Sequence, residues 1–170
     1  LQPLAITVDW ALLNQQAYDF ARQYSYKLIR GLDQTSQTQV QTAMTDWLKS
    51  GEGKPGLIAR LTPIFKNAER ADAIASTESI RVYNEGAFKR WEDVGVTQAV
   101  WRTVQDTHVC PICRPLNGQV ADIRTGWIHP GGSFIDPYDN RRIDSARFKG
   151  KVYRDSAHTR CRCYRRPVVI

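Results

Sequence analysis

Every cysteine in the chain sits in one of two short stretches. Cys110 and Cys113 lie in "HVCPICRPLNG" (108–118), and Cys161 and Cys163 lie in "AHTRCRCYRRP" (157–167). Two residues between cysteines let one tight turn aim both sulfurs at one point, as a zinc knuckle requires. His158 stands three residues before Cys161, so the chain offers five candidate ligands where a tetrahedral ion needs four. The expected set is Cys110, Cys113, Cys161 and Cys163 around a structural Zn²⁺, with His158 as an alternative ligand or a support behind one.

Disulfides are the competing reading. Bridges between the clusters would close a loop of about 50 residues and add a few kcal/mol in the chain-entropy model. No basic segment followed by an apolar core marks the N-terminus as a secretion signal, and cytosolic synthesis keeps thiols reduced. A redox-active CxxC is disfavoured because no βαβ pattern surrounds it. A catalytic metal is also disfavoured. Nucleobase deaminases need H-x-E with P-C-x-x-C and zinc proteases need H-E-x-x-H, and neither occurs here. Residues 101–170 hold no glutamate, the last being Glu92, so a metal-bound water would need Asp106, Asp155 or a helical residue as its base. Four protein ligands would also leave no open position. Asp106 reads as a turn cap, and His129 in "WIHPGG" reads as a loop residue. The sequence reading is therefore not an enzyme.

Charge separates the chain into two parts. The net charge is +7; residues 1–100 carry eleven basic and eleven acidic side chains, and residues 101–170 carry thirteen basic against six acidic. A basic excess confined to the cysteine-bearing part suggests a polyanionic partner, most often nucleic acid. Arg160, Arg162, Arg165, Arg166, Arg141 and Arg142 are the expected phosphate contacts, the first four packed beside the second cysteine pair. The competing reading is a soluble basic surface with no specific partner.

The elements that must position these residues also divide near residue 95. Leu13, Ala17, Phe20, Tyr24 and Leu28 recur at helical spacing, with Gly31 as a stop. A second helix is expected over about 35–49 and a loop at "GEGKPG" (51–56). A third, short and over 57–66, is expected to be strained or broken by Pro63. The fourth, over 69–93, places Ile80, Tyr83, Ala87, Trp91 and Val94 on one stripe. Strands are expected within 98–106, 118–123 and 164–170. The region between the last two is Gly/Pro-rich and long enough to need a device such as a metal clip. The expected fold is α+β: a helical part (1–95) packed with a small β/loop part (96–170) that a Cys/His zinc site clips, together one domain. No apolar run is long enough to cross a bilayer, so no membrane partner is expected. The chain opens "LQPLAITVDW" without a methionine, which suggests a piece of a longer protein.

Three segments together, "TESIRVYNEGAFKRW" (77–91), "WRTVQDTHVCPICRPLNG" (101–118) and "HTRCRC" (158–163), resemble the phage Mu protein F-like family of minor head, or head morphogenesis, proteins. The matching positions are Thr77, Glu78, Arg81, Asn84, Trp101, Asp106, Cys110, Cys113, Gly118, His158, Cys161, Arg162 and Cys163. Where the family often has prolines around the histidine, this chain has "DSAHTRC". The resemblance covers roughly residues 65–165. It implies a phage or prophage protein of the head interior near the portal, acting in head assembly and genome packaging or ejection. The implied partners are the portal protein, other head proteins and double-stranded DNA bound without regard to sequence. A zinc-dependent nuclease-like enzyme, or delivery of a fused toxin, are the alternatives.

Overall fold

In the computed structural model the described residues form four α-helices followed by five short strands. The structure describes residues 10–27, 29–104, 109–111, 113–129, 131–135, 140, 142–144 and 160–168. His108, Asp106, Arg141, Asp155 and His158 lie outside the described residues, as does Leu28.

Helix α1 spans Trp10–Gln23 and ends sooner than its apolar spacing predicts. Tyr24 falls beyond it and Tyr26 turns to φ 54°, which sends the Tyr26 ring into the core. Helix α2 (Gln34–Ser50) starts where the Asp33 carboxylate accepts the Ser36 amide at 2.7 Å and stops at left-handed Gly51. Helix α3 (Lys54–Phe65) begins inside the stretch expected to be loop, because Pro55 occupies the first turn, where no amide donor is needed. Pro63 does not break it. The proline stands in the last turn, exposed to water, where one lost hydrogen bond is tolerable.

Helix α4 (Ala68–Asp93) is capped by Asn67, whose side chain accepts the Arg70 amide at 2.8 Å. Its buried side differs from the expected stripe. Tyr83 and Val94 are exposed, whereas Ala71, Ile74, Ala75, Thr77, Glu78, Arg81, Val82, Asn84 and Phe88 are buried. The helix packs against α1, α3 and the C-terminal sheet, so no single apolar face describes it.

After Gly95, strand β1 (Gln98–Arg102) forms the centre of a three-stranded antiparallel sheet, between β2 (Val120–Asp122) and β5 (Tyr164–Pro167). Val100 pairs with Val120 on one side and Arg166 on the other, and Trp101 faces Arg165. The register is fixed at the "NG" turn, where the Asn117 side chain accepts the Thr103 amide and the amide of Gly118, at φ 84°, bonds the Trp101 carbonyl. A separate hairpin, β3 (Ser133–Ile135) with β4 (Arg142–Asp144), falls in the stretch the sequence marks only by glycine and proline.

Among the described residues two apolar clusters result. One joins the helices through Tyr26, Val40, Met44, Trp47, Leu57, Leu61 and Val82. The other gathers Trp101, Trp127, Leu116, Ile123 and Ile128 around Cys113, Cys161 and Cys163, and Phe88 of α4 belongs to it. Helix α4 therefore contributes side chains to both.

Candidate metal centre

The first half of the site is a turn. The Cys110 carbonyl accepts the amides of Cys113 and Arg114, each at 3.1 Å, and the Cys113 amide also approaches Cys110 Sγ at 3.4 Å. A 3₁₀ turn at Arg114–Leu116 then buries Leu116 and leads into β2. The second half comes from the residues before β5, where exposed and buried positions alternate from Arg160 to Arg166 and point Cys161, Cys163 and Arg165 inward.

The Sγ atoms of Cys113, Cys161 and Cys163 lie within 4.8 Å of one another, and all three residues are buried. Cys113 and Cys161 are 3.9 Å apart at sulfur. Tetrahedral zinc–thiolate bonds of about 2.3 Å set neighbouring sulfurs about 3.8 Å apart, so this spacing suits an ion. All four cysteines are free thiols. Cys110 is only half-buried and outside the mutual cluster, although it adjoins Cys113. Cys110, Cys113, Cys163, Arg160 and Arg162 are among the residues lining a cavity of about 30 Å³, room for one water-sized particle. The structure thus brings together three of the four expected ligands and leaves the fourth at the edge of a small gap.

The electrostatics point the same way. The Cys113 thiol is pushed far up, first by hydrogen bonding to Cys110, then to Cys161 and Cys163, and then by burial. At Cys163 a bond with Cys113 pulls down most strongly, yet the bond with Cys161, burial and the Cys161 charge together push it up to about 12. Crowded buried sulfurs resist becoming thiolates unless a cation joins them. Two groups stand ready to balance the negative charge. The indole of Trp101 favours the ionised form of Cys163, and its buried Nε1 has no other partner among the described residues. Arg165 lies with its guanidinium carbon 3.7 Å over the Trp101 ring and its Nη1 3.5 Å from the Cys163 carbonyl. A soft, thiolate-rich donor set of this kind fits zinc.

Arg165 is 5% exposed. Its place in the row of expected phosphate contacts is therefore corrected: strand alternation turns it inward, where it stacks on Trp101 and faces Trp127 at 5.6 Å. Arg160, Arg162, Arg166 and Arg142 are exposed. Arg160 adopts φ 61°, and its Nη2 is 3.6 Å from Asp72 Oδ2. The Arg160 amide donates to Thr77 Oγ1 at 2.9 Å, which ties the cysteine loop to α4. No spacing in the sequence signals this bond, because its partners are 83 residues apart. His129 is exposed in its loop.

Directly after Thr77, Glu78 forms a buried pair at 3.0 Å with Arg81 one turn further on, and the Arg81 guanidinium lies 5.5 Å from the Tyr24 ring. Asn84 is buried on the same helix. Thr77, Glu78, Arg81 and Asn84 of "TESIRVYN" thus lie inside the protein, and Thr77 among them meets the loop that carries Cys161 and Cys163.

A family model described as phage Mu protein F like protein matches residues 38–165. The chain belongs to this family. The match spans α2 to β5 and includes both cysteine pairs and the buried polar face of α4. No curated protein and no solved structure matches the chain. Among the described residues, no helix of this F-like chain is long and apolar enough to cross a membrane.

Proposed function

We propose that this F-like protein is a minor head protein of a tailed phage or prophage, carried in the virion and acting in head morphogenesis. The family match over residues 38–165 carries the reading. In this reading the chain sits near the portal, its helical part meets portal or other head proteins, and its basic part meets packaged double-stranded DNA during packaging or ejection. The charge distribution supports the DNA side, since the whole net charge of +7 falls within residues 101–170.

The cysteine centre is structural in this reading, and the chain is not an enzyme. Cys113, Cys161 and Cys163 would hold Zn²⁺, with Cys110 or His158 as the fourth ligand. When bound, the ion supplies a cross-link and charge balance, and four protein ligands leave no place for a reacting water. The residues around it hold the loops in register: Thr77 fixes the turn at Arg160, Trp101 faces Cys163, and Arg165 supplies buried positive charge.

The test is made on assembled particles. Purified DNA-filled virions should contain the protein in few copies, and particles made without it should fail in assembly or genome delivery. Its absence from mature virions would overturn the head-protein reading. Elemental analysis of chain purified under reducing conditions should find about one zinc per chain, and less than about half an equivalent would remove the metal.

A further inference from the structure

The outer face of the three-stranded sheet has a composition that the metal centre does not explain. Ala99, Trp101 and Arg165 point inward, so Val100, Arg102, Tyr164 and Arg166 point outward. The register places Val120, Val100 and Arg166 side by side across the three strands, with Arg102 beside Tyr164 in the next pair. Tyr164 is 44% exposed and Val120 is 52% exposed. Arg166 is exposed, and Arg102 is half-buried with its Nε buried and without a hydrogen-bond partner among the described residues. Among the described residues the acid of this face is Asp122 at the end of β2, whose carboxylate accepts the Arg124 amide.

We propose that this face binds single-stranded nucleic acid, with Tyr164 stacked on an unpaired base and Arg102 and Arg166 on the flanking phosphates. Neighbouring strands lie about 4.8 Å apart and alternate residues of one strand about 6.8 Å apart. Tyr164 thus has one arginine beside it across the sheet and another two residues along its own strand. An aromatic ring between cations is the arrangement that holds a base and its backbone together, and it tolerates any sequence because every base has a flat face. Val100 and Val120 continue the apolar surface from Arg166 toward a neighbouring sugar or base. A duplex keeps its base faces stacked inside and would engage the arginines alone. An acidic peptide offers the arginines carboxylates but gives Tyr164 no flat partner. The inference rests only on the nucleic-acid part of the proposed function, and it adds the form of the strand and the face that takes it.

Fluorescence anisotropy on the zinc-loaded chain tests it, using a labelled oligothymidine, a duplex of equal length, and polyglutamate as competitor. The oligothymidine binds more tightly than the duplex. Tyr164→Ala weakens oligothymidine binding roughly tenfold or more and leaves duplex binding unchanged, and Tyr164→Phe retains it. Arg102→Ala and Arg166→Ala each reduce the slope of log affinity against log salt by about 0.7. Circular dichroism confirms that each variant keeps its fold. A Tyr164→Ala variant that binds oligothymidine normally, or displacement by polyglutamate at matched charge, overturns the proposal. Salt-dependent duplex binding indifferent to Tyr164 overturns it while leaving the proposed function intact. No binding to either oligonucleotide overturns both the inference and the nucleic-acid part of the proposed function.

Discussion

Thr77 Oγ1 accepts the Arg160 amide and also donates to the Ala73 carbonyl at 2.7 Å, so one hydroxyl links α4 to the loop before Cys161. Thr77→Val keeps the shape and removes the acceptor. An unsatisfied, partly buried amide costs about 1–3 kcal/mol, and that loss should appear in urea unfolding of the metal-bound protein. The same variant should hold metal less tightly in chelator competition, with Thr77→Ser restoring both; unchanged metal affinity would confine Thr77 to helix packing. Glu78 sets a larger effect nearby. Glu78→Ala leaves the Arg81 charge buried beside Tyr24, and breaking such a pair costs about 3–5 kcal/mol. Replacing both partners by apolar residues of similar volume should recover much of that loss. At the sulfurs, serine at Cys113, Cys161 or Cys163 should abolish stoichiometric metal binding. Serine at the half-buried Cys110 tests whether this sulfur closes the coordination shell. Co²⁺ spectra, whose thiolate bands count bound sulfurs, distinguish the two cases.

The helices and strands follow from local signals to different degrees. Helix α2 is legible because Asp33 and Gly51 punctuate it, and Asp33 carries a pH prediction. Its carboxyl is held below the usual carboxylate range by the hydrogen bond from the Ser36 amide. The cap therefore contributes fully above the unfolded carboxylate pKa of about 3.9 and is lost as pH falls through the lower folded value. Asp33→Asn, which keeps an acceptor, should remove this part of the acid sensitivity seen in thermal melts between neutral and acid pH. Pro63 sits exposed in the last turn of α3, and Pro63→Ala restores a helical amide; a stability gain of about 1 kcal/mol or more is expected in urea unfolding. The start of α3 was hidden by glycines on either side of Lys54 and Pro55, where helix-breaking composition and a helix N-terminus look alike. The face of α4 was hidden by polar burial. Apolar spacing selects Tyr83 and Val94, but the helix buries Thr77, Glu78, Arg81 and Asn84; Glu78 pairs with Arg81 and Thr77 holds the cysteine loop. The cysteine pairs were legible as candidate ligands from spacing alone, and the fold brings Cys113, Cys161 and Cys163 together. The inward turn of Arg165 was not, since it depends on the register of β5 against Trp101.

At the scale of the molecule, the two apolar clusters share α4, and the buried cysteines of the candidate metal centre lie in the second of them. Removing metal with a chelator should therefore do more than loosen the cysteine loops. The bond between Arg160 and Thr77 and the placement of Phe88 couple the centre to the helices, so the chain should melt at lower temperature in calorimetry. If the helical transition keeps its temperature while only the sheet signal is lost, the two clusters fold independently. Duplex DNA should bind with a steep loss of affinity as salt rises, made shallower by replacing Arg160, Arg162 or Arg166 but not by a charge-neutral change at buried Arg165 that preserves the fold.

The halves of the centre are separated by 47 residues, yet their sulfurs meet at 3.9 Å. Each half is anchored outside that interval, one by the turn beside β1 and the other by β5 and Thr77. The ends of the interval are therefore fixed whatever the length of the connection between β3 and β4, and lengthening a closed loop is cheap, about 0.6 kcal/mol for each doubling. The protein thus has a place to accept inserted sequence without disturbing either core. A passenger peptide spliced between β3 and β4 should leave metal content and melting temperature nearly unchanged, whereas the same peptide placed between Cys110 and Cys113 should abolish both.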